Sequence, residues 1–100
     1  MNYRDYEAVR QIVENATGLE ITYAYDDLVF PEHGAFIIQF DDENTNKLFC
    51  YFHVDCTGVD RKTIFNGLEH ECVSRKASLE TKGDFELKQE GEDIQIHFTK

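Results

Sequence analysis

A chain of 100 residues with 41% apolar and 13% aromatic side chains has the composition of a globular domain, which excludes a disordered acidic tail. We expect residues 1–100 to form a single domain, because a chain of this length has room for only one core. Twenty acidic and ten basic residues give a net charge of −10, which disfavours direct binding to nucleic acid and to anionic membranes.

The charge is unevenly distributed, with eleven acidic and three basic residues in residues 1–56. We therefore expect the acidic surface mainly in the N-terminal half of the chain. Such a surface either attracts a protein partner with a basic segment or serves only to keep the domain in solution.

An amphipathic helix is predicted at the start of the chain. Residues 3–16 place apolar side chains at spacings of three and four, which is typical of a helix with one buried face. Asn2 is the expected N-cap of this helix, and Gly18 is its expected stop signal.

Three strands are predicted after the helix. Residues 19–25 alternate with period two, and we expect residues 28–30 to extend this strand past a bulge or turn at Asp26 and Asp27. Residues 35–40 form the second strand and residues 47–56 the third, each with one core face. The side chains expected to face the core from the first strand are Leu19, Ile21, Tyr23 and Tyr25.

Residues 59–79 are open to two interpretations. A helical stripe favours one helix with Asp60 as its cap, whereas Asn66 and Gly67 are a strong signal for a β-hairpin. We favour the helix, whose stripe comprises Ile64, Phe65, Leu68, Cys72 and Leu79.

A hairpin over residues 84–98, with its turn at residues 90–93, completes the chain. The order α-β-β-β-α-β-β then predicts an α+β single domain, in which helices pack on one face of an antiparallel sheet.

The cysteines and the N-terminus indicate a reduced compartment. The chain contains an odd number of cysteines, which are Cys50, Cys56 and Cys72, and it begins with polar residues rather than a signal peptide. No apolar run in the sequence approaches the roughly 20 residues of a membrane helix. We therefore expect a cytoplasmic protein.

No complete catalytic or metal site can be assembled from the sequence. The nearest set of zinc ligands is divided between two faces, because Cys50 and Cys56 point to the core side of their strand and His53 to the other. The remaining members of this set are His70 and Cys72. His53 and Asp55 share a face like a base and its orienting carboxylate, but no nucleophile faces them. We predict no cofactor, no metal and no enzymatic activity.

The face of the sheet opposite the core is the expected partner-binding surface. Aromatic side chains on a half-polar face are common at protein interfaces, although a loop or helix of the same chain is an alternative cover. This face is expected to carry Thr22, Ala24, Ile37, Gln39, Phe49, Tyr51 and His53. The residues assigned to partner binding are Ile37, Phe49, Tyr51 and His53, together with the loop acids Asp41, Asp42 and Glu43.

The order of elements resembles the small acidic chaperones of type III secretion. The matching stretches are Tyr3–Ala16, Leu19–Asp55, the segment around Ile64–Leu79, and Asp84–Phe98. The resemblance implies a homodimer paired through the second helix and neighbouring strands. It also implies that the dimer holds an extended segment of a secreted partner without using ATP.

Three functions follow from these patterns. The first is a protein-binding module that captures a basic segment by strand addition or in an aromatic groove. The second is a phage or mobile-element inhibitor that mimics the charge of nucleic acid through clustered acids, which are Asp26, Asp27, Glu32, Asp41, Asp42 and Glu43. The third is a small-molecule-binding domain with a pocket near Tyr51, His53 and Asp55.

Overall fold

The computed structural model describes residues 1–99 and arranges them as two helices and a six-stranded sheet. The helices are α1 (Tyr6–Thr17) and α2 (Gly58–Ser74), and the strands are β1 (Ile21–Tyr25), β2 (Leu28–Pro31), β3 (Phe36–Phe40), β4 (Lys47–His53), β5 (Ser78–Glu90) and β6 (Asp93–Thr99). A short 3-10 turn, Glu32–Gly34, connects β2 to β3. The predicted α+β class is confirmed.

The strands lie in the sheet in chain order from β1 to β6. Neighbouring strands are antiparallel except β4 and β5, which run parallel because α2 carries the chain back between them. The sheet therefore differs from the fully antiparallel one expected from the sequence. It also has one strand more, because Asp26 adopts a φ of 55° and the chain reverses there to pair Tyr25 with Leu28.

Both helices pack on the same face of the sheet, as predicted, and enclose the main core. From α1 this core receives Val9, Ile12 and Val13, and from α2 it receives Leu68 and Cys72. The strands supply the other large members, which include Val29, Phe36, Ile38, Phe40, Leu48, Cys50, Phe52 and Leu79.

The start of α1 differs from the expected one by a few residues. The Asp5 carboxylate caps the helix by accepting from the Ala8 amide at 3.1 Å, so Asn2 is not the cap. Arg4 has a φ of 43°, which is incompatible with a helix that begins at residue 3. Gly18 ends α1 with a φ of 75°, as predicted.

The favoured interpretation of the second helix is confirmed over Gly58–Ser74. Its cap is Thr57, whose hydroxyl accepts from the Asp60 amide at 3.2 Å. Gly67 lies inside the helix at its contact with α1, where a Cβ would stand 3.3 Å from the Ala16 carbonyl oxygen. The small residue thus serves close helix packing rather than a hairpin turn. Leu79, which was expected on this helix, lies in β5.

A β-bulge in β1 reverses the expected alternation of its side chains. The register of β1 against β2 shifts between Ile21 and Tyr23, so that Thr22 is an extra residue. Ile21 packs on the main core, whereas Tyr23 and Tyr25 face the other side of the sheet. The prediction of a core-facing Tyr23 and Tyr25 is therefore wrong, as is that of Ala24 on the second face.

The side of the sheet away from the helices, here called the open face, carries a second and smaller cluster. Ile37, Tyr51 and Phe85 come from three adjacent strands and are at most 4% exposed. They are covered because the sheet curls and brings β6 towards β4, so that the rings of Tyr51 and Phe98 lie 4.5 Å apart. Part of this face is therefore covered by a strand of the same chain, rather than by a loop or helix.

The hairpin of β5 and β6 extends past the end of β4. The last residue pair between β4 and β5 is His53 with Phe85, and in residues 1–99 the following five residues of β5 pair with β6 alone. Residues 86–97 therefore form a two-stranded arm that projects by about 17 Å. Cross-strand pairing places Leu87 beside Ile96, and both side chains lie on the open-face side of the arm.

Candidate functional site

Large apolar side chains are concentrated on the open face. Five of its residues are between 43% and 68% exposed, and they are Tyr23, Tyr25, Leu87, Ile94 and Phe98. They form half of the ten large apolar residues that are exposed in residues 1–99. Leu87, Ile94 and Phe98 lie together in the arm and Tyr23 stacks on Tyr25, and exposed apolar side chains grouped in this way mark an interaction surface.

The geometry of the strands accounts for the positions of these five residues. The bulge at Thr22 turns the two tyrosines of β1 outward, where their rings stack with centroids 6.4 Å apart. In the arm, Ile94 and Phe98 occupy alternate positions of β6, so they share one face. The tyrosines lie at one margin of the open face and the arm lies at the other.

A short chain of hydrogen bonds fixes the centre of the open face. The Tyr51 hydroxyl donates to Gln39 Oε1 at 3.0 Å, and Gln39 Nε2 donates to Asp27 Oδ2 at 2.8 Å. Burial and the nearby Asp27 carboxylate raise the pKa of Tyr51, so this hydroxyl remains a donor. These two hydrogen bonds link the turn between β1 and β2 to the middle of the sheet.

The four predicted face residues divide into two pairs. Ile37 is 1% exposed and Tyr51 is 4% exposed, so neither offers contact area to a partner in this conformation. Phe49 and His53 are half-buried and remain at the surface. The His53 ring packs edge-on against Phe85, with centroids 5.3 Å apart.

Phe49 is flanked by two cations rather than by acids. The ammonium groups of Lys47 and Lys82 lie 5.2 and 4.4 Å from the centroid of its ring. Lys47 also forms an ion pair with Glu80 at 3.0 Å. This part of the open face is therefore mixed in charge.

The predicted loop acids are partly neutralised by one arginine. Arg4 donates from Nη2 to Asp42 at 2.6 Å and from Nη1 to Asp26 at 2.7 Å, so it bridges two acidic turns. The hydrogen bond from Arg4 lowers the pKa of Asp42. Asp41 accepts from the Glu43 amide at 2.9 Å, which orders the loop but leaves both charges in place. The structure thus brings the acids of both turns to one end of the sheet.

A second acidic group lies at the tip of the arm. Glu90, Glu92 and Asp93 are all exposed beside the apolar side chains of the arm. From the sequence, these residues were expected to form only a hairpin turn. The usable signal was a run of acids directly before the alternating residues of β6.

A surface pocket of about 300 Å³ opens where β3 begins and β4 ends. Its lining includes His33, His53, Asp55, Cys56, Thr57 and Asp60. Two of the three residues of the predicted small-molecule site therefore line a pocket, while Tyr51 lies in the small cluster of the open face. The Asp55 amide donates to His53 Nδ1 at 3.0 Å, which makes Nδ1 an acceptor.

Arg61 holds the turn that forms one wall of the pocket. Its guanidinium donates to the carbonyl oxygens of Cys56 and His53 at 2.8 and 3.0 Å, and to Asp84 Oδ1 at 2.6 Å. The Asp84 carboxylate raises the pKa of Arg61. No pattern of residues indicates this role, because the acceptors are backbone carbonyl groups or, like Asp84, lie far from Arg61 in the chain.

The three cysteines are free thiols, of which Cys50 and Cys72 are buried. Burial raises the pKa of Cys50 to about 12 and that of Cys72 to about 11, and both lie in the main core. Burial also raises the pKa of Cys56, so this thiol lacks the thiolate character of a reactive cysteine. In the part of the chain that the structure describes, no group of three or more His, Cys, Asp or Glu side chains could hold a metal ion.

No protein-family model, no curated protein and no solved structure matches this chain. Neither helix in residues 1–99 is long and apolar enough to cross a membrane. The functional interpretation therefore depends on the geometry and charge of the open face, the acidic turns and the pocket.

Proposed function

We propose that this chain is a non-enzymatic, acidic protein-binding module that holds an extended basic segment of another protein against its open face. The observation that carries the proposal is the group of exposed apolar side chains on this face, at Tyr23, Tyr25, Leu87, Ile94 and Phe98. An extended segment suits such a surface because its alternate side chains contact the sheet while its backbone stays in register with the strands.

Charge supports a basic rather than an acidic partner. The net charge is −10, and acids border the open face at the half-buried Asp27 and at the arm tip, where the exposed Glu90, Glu92 and Asp93 lie. Acids at the rim of an interface accelerate encounter with a basic partner and disfavour acidic competitors.

The resemblance to secretion chaperones agrees with this mode of binding. In that case the domain is also a homodimer, paired through α2 and neighbouring strands. The exposed side chains of Val59 and Val73 on α2 support such a contact. The free thiols of the three cysteines support a cytoplasmic location.

The pocket near the start of α2 favours a second candidate, a small-molecule-binding domain. Its volume of about 300 Å³ is at the lower limit for ligand sites, and imidazole, thiol and carboxylate groups converge on it. A ligand that raises the melting temperature of the wild type, but not of a His53→Ala variant, would favour this candidate.

Charge mimicry of nucleic acid has less support. Arg4 pairs with Asp26 and Asp42, two of the acids that a mimic would present, and two lysines flank Phe49 on the open face. A series of uncompensated acids is what a basic DNA-binding groove would recognise.

Site-specific photo-crosslinking in cells of the native host tests the proposal. A photoreactive phenylalanine analogue replaces Leu87 on the open face or, as a control, Tyr3 before α1, which are 51% and 60% exposed. We expect one defined protein to be crosslinked from position 87, and not from position 3.

The crosslinked segment should be basic, and an Ile94→Ser substitution on the same face of the arm as position 87 should reduce its yield. No defined adduct from position 87, or equal adducts from both positions, would contradict the proposal.

A further inference from the structure

The free edge of the sheet at β6 allows the binding mode of the proposed function to be specified. We infer that the partner segment adds as a further antiparallel or parallel strand along β6, with apolar and basic side chains in alternation. This inference rests on the proposed function, because it concerns the same partner and the margin of the same face.

The two edges of the sheet differ in how they are protected. The edge strand β1 is five residues long and is interrupted by the bulge at Thr22, which is a common way to prevent pairing with other chains. Strand β6 is seven residues long, contains neither proline nor lysine, and pairs with β5 in unbroken register from Asp93 to Thr99. An edge of this kind is a template for another strand.

The backbone groups that would pair with a partner strand can be identified. The Val54 amide donates to the Phe85 carbonyl oxygen at 3.0 Å, so this oxygen points away from β6. Phe85 and its partner Phe98 are therefore a non-hydrogen-bonded pair of the antiparallel ladder. Because such pairs alternate, Phe98, Ile96 and Ile94 direct their N–H and C=O groups outward from the sheet.

The arm also lacks the support that a third strand provides. A two-stranded ribbon is marginal by itself in water, whereas three strands with a common apolar face are stable. Residues 86–90 pair with β6 beyond the end of β4, and the arm leaves Leu87 and Ile94 more than half exposed. A strand on β6 would cover these side chains and complete a three-stranded unit.

The two sides of the arm define the chemistry of the added strand. On the open-face side its neighbours are Ile94, Ile96 and Phe98, so alternate partner residues are apolar. On the reverse side, β6 carries Asp93, Gln95, His97 and Thr99, β5 behind it carries Glu86, Lys88 and Glu90, and Glu92 lies at the tip. Lys88 lies 3.3 Å from Glu86 and His97 lies 3.9 Å from Glu90, so among residues 86–99 the acids of this side outnumber its one lysine. The intervening partner residues are therefore basic. A second copy of this chain would instead bring like charges together.

Amide hydrogen exchange on the full chain, with and without a synthetic peptide, tests the inference. The probe is a seven-residue peptide that alternates valine and lysine, with blocked termini. The control peptide has glutamate in place of lysine. We expect the lysine peptide to slow exchange of the Ile94, Ile96 and Phe98 amides by at least about tenfold, since each gains a hydrogen-bond partner. The glutamate peptide should leave exchange unchanged.

Two variants of one residue separate backbone pairing from side-chain contact. Ile94→Ala and Ile94→Pro both remove the exposed side chain, but only proline also removes the outward N–H, and it leaves the β5 pairing intact. We expect Ile94→Pro to bind the lysine peptide about fivefold more weakly than Ile94→Ala, which is the effect of one lost hydrogen bond.

Three other outcomes would refute strand addition, the inferred partner chemistry or the identity of the occupant, respectively. Peptide binding that perturbs the open face without protecting the β6 amides refutes strand addition and leaves the proposed function standing. No binding at millimolar peptide refutes the inferred partner chemistry, whereas adducts from position 87 in the crosslinking experiment would still support partner binding. Protection of the β6 amides without peptide, in a dimer detected by light scattering, identifies a second copy as the occupant.

Discussion

Replacing Phe85 with alanine tests whether the open face contains an independent core. Phe85 is 1% exposed and touches the His53 ring edge-on, within a cluster that also contains Ile37 and Tyr51. Truncating a fully buried phenylalanine costs about 3–5 kcal/mol, because transfer free energy is lost and a cavity remains. We expect Phe85→Ala to lower the free energy of unfolding by about 4 kcal/mol.

Leu87 provides the matched control on the same strand and the same face. It lies two residues further along β5 but is 51% exposed. Half-burying a leucine side chain stabilises the folded state by roughly 1 kcal/mol through the hydrophobic effect, so Leu87→Ala should lower the free energy of unfolding by about that amount. The contrast between the two variants comes from the curl of the sheet, which covers Phe85 and leaves the arm exposed.

Urea unfolding followed by far-UV circular dichroism measures both variants. Total stabilities of small domains are about 5–15 kcal/mol, so the alanine variant of Phe85 is at risk of unfolding. Phe85→Leu, with an expected loss of about 1–2 kcal/mol, keeps the measurement informative in that event. Equal losses for Phe85→Ala and Leu87→Ala would refute the assignment of a buried cluster to this face.

Four further measurements test the contacts and charges described above. Arg61→Ala should lower the free energy of unfolding by about 2 kcal/mol in urea titrations, because its hydrogen bonds to three carbonyl oxygens and to the partly solvent-exposed Asp84 are lost. At about pH 8, Ellman's reagent should modify Cys56 before Cys50 and Cys72, which are buried and resist ionisation. The free energy of unfolding should also fall as pH rises from 9.0 towards about 12, because the unfolded thiols ionise at lower pH than the folded Cys50 and Cys72. Finally, light scattering should show more self-association in about 1 M sodium chloride than in about 0.1 M. At about 1 M the Debye length falls to about 3 Å, so charge repulsion between two copies no longer opposes contact between their apolar open faces.

The elements predicted from the sequence are those with strong local periodicity. The stripe of Ile64, Phe65, Leu68 and Cys72 indicated α2, and alternation indicated β3, β4 and β6. These patterns depend on residues close in sequence, so a single chain contains them. The α+β class followed from their order.

The missed features depend on pairing across the sheet. The first part of β5 contributes only Leu79 to the main core, and its composition resembles a helix, so nothing local marks its parallel pairing with β4. The bulge at Thr22 likewise has no recognisable sequence pattern. Its one added residue nevertheless moves Tyr23 and Tyr25 from the core face of the sheet to the open face.

The candidate site was found in part for the same reason. Alternation correctly indicated that Phe49 and His53 face away from the helices, but it could not show which part of that face the curled sheet covers. Ile37 and Tyr51 were therefore assigned to partner contact although they lie in the interior. The exposed residues of the arm were treated as part of an ordinary hairpin.

The acidic surface and the apolar open face are best understood together. An exposed apolar face with a free strand edge promotes self-association, and the short, bulged edge at β1 shows that only one margin of this sheet is protected by its backbone. Repulsion between copies that each carry a charge of −10 opposes contact at the other margin. The same charge attracts a basic segment, so it discriminates against the chain's own copies and in favour of a partner. Under this reasoning the acids at the arm tip and the apolar residues of β6 form one recognition element, because removing the acids would leave an edge that any strand could join.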